Sequence, residues 1–120
     1  QRATIAAVDA DPSVLKFMLD AFHRRRELVV GLVKDIPGFK LNVPEGAFYV
    51  FPDVSSYFGK TLRGTKINDA DDFSMYLLSE ANVATVTGGA FGNPNCIRFS
   101  YATSEALLTE AMKRIKEAIS

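Results

Sequence analysis

The chain has 120 residues, with 14 Lys or Arg against 14 Asp or Glu and a mean hydropathy of +0.05. That length suits one domain with its own core, and the balanced charge lacks the basic footprint of a nucleic-acid binder or a membrane-surface protein. One cysteine excludes an internal disulfide and no apolar run reaches membrane-spanning length, so a soluble protein of the reducing cytoplasm is expected.

Residues 1–10 are mostly small or apolar, with no initiator Met and no charged segment before an apolar one. They read as a helix left from a connection to another part of a longer protein, without a signal peptide. Asp11-Pro12-Ser13 predicts a helix start, because Asp can cap free amides and Pro suits the first helical position. Behind it Val14, Leu15, Met18, Phe22, Val29, Leu32 and Val33 recur near helical spacing until Pro37-Gly38. One long amphipathic helix is therefore expected, with His23, Arg24, Arg25, Arg26 and Glu27 on a solvated face. Phe39 to Val43 alternates apolar and polar, Pro44-Glu45-Gly46 turns the chain, and Ala47 to Phe51 follows, so an antiparallel hairpin is expected. Residues 52–68 shift to Ser, Gly, Lys and Thr and read as a long surface connection.

Asp69, Asp71 and Asp72 open a second helix, where carboxylates complement the positive end of the dipole. They lack the spacing of metal ligands, so no metal site is assigned. Phe73, Tyr76 and Leu77 form that helix's buried stripe. Val83 to Thr87 and Cys96 to Tyr101 read as two further strands. Ser104-Glu105 opens a terminal helix with Leu107, Leu108, Ala111, Met112, Ile115 and Ile119 on one face. The whole is a single layered α/β unit.

The residue that calls for chemistry is Arg98, delivered into an apolar strand from the loop Gly88-Gly89-Ala90-Phe91-Gly92. Strand alternation puts Ile97, Phe99 and Tyr101 on one face and Cys96, Arg98 and Ser100 on the other. A guanidinium there needs an anion. Its planar fork matches a carboxylate bidentately, which suggests a receptor for a small carboxylate-bearing molecule. The competing and commoner arrangement is an edge-strand arginine in a structural ion pair.

The remaining motifs carry less. The glycine loop lacks the spacing of a Walker or dinucleotide motif and leads into a strand, so it reads as a turn that lets backbone pass close to a ligand. His23, the only histidine, lies on a charged helix face, which is poor ground for a catalytic triad. Cys96 reads as a small buried hydrophobe. Phe48, Tyr49 and Phe51 read as core in preference to a ligand-stacking platform.

Three segments in register carry a resemblance. Phe22-His23-Arg24-Arg25-Arg26-Glu27-Leu28-Val29, then Pro37-Gly38-Phe39 with Pro44-Glu45-Gly46-Ala47-Phe48-Tyr49, then residues 83–92 with Ile97-Arg98-Phe99-Ser100-Tyr101-Ala102, together with Arg114-Ile115, span nearly the whole chain. They resemble the C-terminal small domain of the class I, fold type I, pyridoxal-phosphate aminotransferases, most of all the aspartate aminotransferase-like members. The resemblance implies an α/β (α+β) fold, a small and mainly antiparallel sheet covered by helices. It implies that Arg98 binds the substrate α-carboxylate and that this domain closes over the site. It also implies pyridoxal phosphate as cofactor, an amino acid and a 2-oxo acid as substrates, an N-terminal large domain in the same chain, and a homodimer.

Thr87 and Gly89 depart from the Pro and Ser common in the family, which alters loop stiffness and one possible hydrogen bond. The family's Schiff-base lysine, pyridine partner and most phosphate ligands precede the matched region, so no catalytic or cofactor-binding residue is assigned. Lys16, Lys34, Lys40, Lys60, Lys66, Lys113 and Lys116 all lie in polar contexts, and the isolated chain is expected to be inactive. The alternative is a stand-alone module that binds a small carboxylate without chemistry.

Overall fold

The computed structural model describes residues 1–120, in the order α1 (Arg2–Val8), α2 (Lys16–Lys34), β1 (Tyr49–Val50), β2 (Thr61–Leu62), β3 (Thr65–Lys66), α3 (Ala70–Ala81), β4 (Val86–Thr87), β5 (Ile97–Ser100) and α4 (Glu105–Ala118). The main sheet has three strands in the order β1-β5-β4, all antiparallel, so β5 is its centre. Helices cover it, as the resemblance implied.

The core forms where apolar stripes of α2, α3 and α4 meet the buried face of β5. Val29, Val33, Phe73, Leu77, Ile97 and Ile115 are fully buried. Phe73 stacks on Tyr57 at 4.8 Å and meets Phe39 edge-on at 6.0 Å, so α3 and the loops before it share one aromatic cluster. Three tyrosine hydroxyls then fasten this layer to main-chain carbonyls. Tyr57 donates to Pro37, Tyr76 to Ala118 at 2.5 Å, and Tyr101 to Ala47 at 2.8 Å. Burial pushes the Tyr57 hydroxyl up to about 12, and raises those of Tyr76 and Tyr101 as well.

The helix ends follow local chemistry. Asp69 caps α3 by accepting from the Asp72 amide at 2.9 Å, and Asp72 accepts from the Asn68 amide and side chain at 2.9 and 2.6 Å. These carboxylates are occupied as caps. Asn82 closes α3 in the left-handed region (φ 53°), where an Asn is better tolerated than most residues. Ser104 caps α4 through the Leu107 amide.

Several expectations need correction. The first long helix is two pieces: Asp11 caps a 3-10 turn (Pro12–Leu15), and α2 proper starts at Lys16. Val14, Leu15 and Met18 continue the apolar stripe but are exposed, because the packing of α2 on the rest of the fold begins only near Phe22. Residues 1–20 are exposed throughout and stretch the molecule to 55 × 27 × 23 Å.

The hairpin does not form. Ala47 has φ 58°, which breaks extended backbone after the turn, and β1 pairs with β5 (Tyr49 opposite Ser100, Val50 opposite Phe99). The 39–43 segment contributes one bridge, Lys40 to Asp53, which in turn bridges to Cys96. The 52–68 connection is structured: a 3-10 turn at Ser55–Tyr57 and a small β2-β3 hairpin closed through Arg63 and Gly64, both with positive φ.

Candidate functional site: an arginine between two aromatic rings

Arg98 is on the central strand, opposite Val86 of β4. Its strand neighbours Ile97 and Phe99 are buried and Arg98 is half-buried, so alternation holds and the guanidinium emerges on the face away from the main core. None of the chain's ion pairs includes it: they are Lys16–Asp20, Arg24–Glu105, Arg26–Glu27, Lys113–Glu117 and Arg114–Glu110. The edge-strand ion pair is therefore not what is found, in either strand position or partner.

Two rings flank the guanidinium instead. The Tyr49 ring centroid is 4.2 Å from Cζ, and the Phe91 centroid is also 4.2 Å away. Phe51 meets Phe91 edge-on at 6.2 Å and supports that ring. Of Phe48, Tyr49 and Phe51, Tyr49 lies against the arginine, Phe51 backs Phe91 and Phe48 turns to Phe22 of α2; Phe48 is exposed and the other two half-buried, so none belongs to the core. Tyr49 reaches Arg98 because it is diagonal to it across the β1-β5 ladder, within range of a long side chain. Sequence reading missed the pairing of Tyr49 and Phe91. The available signal was Phe91 itself, a large apolar residue between glycines with no helix or strand to bury it.

The loop that carries Phe91 is anchored tightly. The Gly88 amide donates to the Cys96 carbonyl at 2.7 Å, the Asn93 amide to Gly88 at 3.1 Å, and the Cys96 amide to Asn93 at 3.2 Å. A Cβ at Gly88 would come within 2.2 Å of the Asn93 oxygen and 2.5 Å of the Cys96 oxygen, so only glycine fits. Gly92 ends the turn at φ 82°. Gly89, by contrast, has nothing within 4 Å of a built Cβ, so its departure from the family's usual residue is sterically free.

The other candidates fall outside this arrangement. Cys96 is buried, and burial pushes its thiol up, with the Asp53 charge adding to the effect, so the thiolate is disfavoured. Burial also raises Asp53, but the Ser55 amide and hydroxyl at 2.8 and 2.6 Å and the nearby Lys40 charge outweigh it and hold the carboxyl below its usual range. His23 is exposed and lines a hollow with Leu19, Phe22, Arg26, Glu45 and Tyr101, without serine or cysteine. All seven lysines are exposed, whereas a Schiff-base lysine must be desolvated and positioned. The residues present therefore do not fit a covalent cofactor anchor.

Comparison with known proteins agrees with the fold. Residues 1–115 match the family described as aminotransferase class I and II. Aspartate aminotransferase of Rhizobium meliloti strain 1021 is 46% identical over 119 residues, covering 98% of this chain and 29% of that protein. The crystal structure of the Rhizobium meliloti aspartate aminotransferase superposes with a TM-score of 0.91 at 44% identity, over 98% of this chain and 30% of the other. The Thermus thermophilus aspartate aminotransferase with maleate superposes with a TM-score of 0.75 at 32% identity, over 88% of this chain and 25% of the other. The chain thus spans less than a third of the length of these relatives. The 120 residues belong to the class I and II aminotransferase family.

Proposed function

We propose that these residues form the C-terminal small domain of an aspartate aminotransferase-like enzyme, and that Arg98 binds the α-carboxylate shared by the amino acid and the 2-oxo acid. The observation that carries this is a half-buried guanidinium that pairs with no carboxylate among these residues and lies between the rings of Tyr49 and Phe91. A guanidinium in that state has in-plane donors to offer, and a substrate carboxylate accepts two of them side by side. The residue's task is orientation. Holding the carboxylate end fixes the amino or oxo group relative to the reacting centre, which lowers the entropic part of the barrier.

Pyridoxal phosphate supplies the electron sink in this reading. Its covalent anchor belongs to the part of the protein outside these residues, since every lysine here is exposed. The isolated chain is accordingly inactive. The exposed apolar stripe of residues 1–20 suits packing against that large domain, and the full enzyme is a cytoplasmic homodimer. Closure of the small domain would exclude water from the site.

The test is Arg98→Ala in the full-length enzyme. Losing a charged bidentate contact lowers kcat/KM about a hundredfold or more, with pyridoxal phosphate content unchanged. Kinetics equal to the parent refute the assignment of Arg98, whereas a full-length parent protein with no transaminase activity would leave the non-catalytic carboxylate-binding module as the reading to pursue.

A further inference from the structure

Arg98 differs from the chain's other arginines in having two aromatic rings against its guanidinium. Tyr49 and Phe91 each place a ring centroid 4.2 Å from Cζ. The ring faces are electron-rich, so each attracts the cation while blocking approach along the normal to its plane. The N–H donors of a guanidinium lie along its edge, which a ring stacked on a face leaves free.

The rings come from two independently anchored supports. Tyr49 is on β1, paired to β5 through Ser100. Phe91 is on the Gly88–Phe91 turn, which the Gly88 and Cys96 amides tie to the start of β5, the strand that also carries Arg98. Phe51 supports the Phe91 ring edge-on at 6.2 Å. The guanidinium is therefore held by groups whose own positions are set by hydrogen bonds and packing.

We propose that Tyr49 and Phe91 are positioning residues that lock the plane of Arg98 and thereby make the site selective for planar carboxylates over tetrahedral oxyanions. A carboxylate lies in the guanidinium plane and uses both of its oxygens there. A sulfate or phosphate that makes the same two bonds must place its other oxygens above and below that plane, against the ring edges, where they lose hydration without gaining donors. This rests on the reading of Arg98 as the substrate-carboxylate receptor.

The experiment is calorimetric titration of the full-length holoenzyme with maleate and, separately, with sulfate, for the parent, Arg98→Ala, Tyr49→Leu, Phe91→Leu, and the conservative Tyr49→Phe and Phe91→Tyr. Leucine keeps apolar bulk but removes the ring. Each leucine variant weakens maleate about fivefold to tenfold and narrows the preference for maleate over sulfate, while the conservative variants stay within about twofold of the parent in both respects. The change in preference separates positioning from general loosening, which would weaken both anions together. Leucine variants that bind both anions as the parent does, or that lose both in equal measure, alongside Arg98→Ala that has lost maleate, overturn the proposal and leave the receptor reading standing. Arg98→Ala that binds maleate as the parent does overturns both.

Discussion

Gly88→Ala tests whether the loop beneath Phe91 and Arg98 is as constrained as its geometry indicates. The added methyl would sit 2.2 Å from the Asn93 carbonyl oxygen and 2.5 Å from that of Cys96, both main-chain atoms that no side-chain rotation can move aside. Relief requires the turn to swing away from β5. That swing gives up the Gly88 to Cys96 and Asn93 to Gly88 hydrogen bonds, 2.7 and 3.1 Å long. At about 1 kcal/mol net for each bond and about 1–3 kcal/mol for the overpacking, the substitution costs about 3 kcal/mol or more. Gly89→Ala is the matched control, since nothing lies within 4 Å of its built Cβ. With no positive φ to strain it, that change is neutral or stabilises by about 0.5 kcal/mol.

The assay uses the buried Cys96 thiol, whose carbonyl is one of the two atoms struck. Its alkylation in the full-length enzyme, followed by peptide mass mapping under conditions where closing outpaces labelling, reports how often this loop and strand open. A 3 kcal/mol loss corresponds to labelling about a hundredfold faster in Gly88→Ala, with Gly89→Ala unchanged or slower. Equal labelling rates in the two variants would refute the argument that backbone contact, rather than loss of glycine flexibility in general, holds the turn.

Two further outcomes follow from the packing. The Tyr57 hydroxyl is held protonated up to about 12 by burial, above the ordinary value of 10.0. A folded-state value raised in this way contributes stability that is complete below about pH 10 and is lost as pH rises toward 12, so alkaline opening around Tyr57, read by exchange of the amides near it, sets in over that window. Protection relative to the intrinsic exchange rate that stays constant from pH 10 to 12 would contradict it. At the end of α3, Asn82 at φ 53° tolerates glycine, but Asn82→Val destabilises by about 1–2 kcal/mol because a β-branched residue resists the left-handed region. Comparable denaturation midpoints for Asn82→Val and Asn82→Gly would show that the cap conformation is not the constraint.

Much of the fold was legible because it rests on short-range rules. Asp69 and Ser104 do cap α3 and α4, and the Phe73, Tyr76 and Leu77 stripe is buried as its spacing indicates. The errors arose where partners are distant in sequence. Ala47 to Phe51 alternates like one half of a local hairpin, yet its β1 core pairs with a strand some fifty positions later, and no local pattern distinguishes the two partners. The aromatic residues around Tyr49 were misassigned for the same reason. Hydrophobicity says that a ring prefers to leave water, but not whether it packs against other apolar groups or against a cation.

The sequence by itself determined the starts of α3 and α4 and the alternation that separates Arg98 from Ile97 and Phe99, since each depends on residues near one another along the chain, and its motifs in register carried the family resemblance. Only the tertiary structure decided that Arg98 lies on the central strand, that it pairs with no carboxylate among these residues, and that the Tyr49 and Phe91 rings lie against its guanidinium. Those facts depend on which strand neighbours β5 and where a glycine turn sets its one aromatic side chain. They are matters of long-range pairing, which residue order encodes only through the folded chain as a whole.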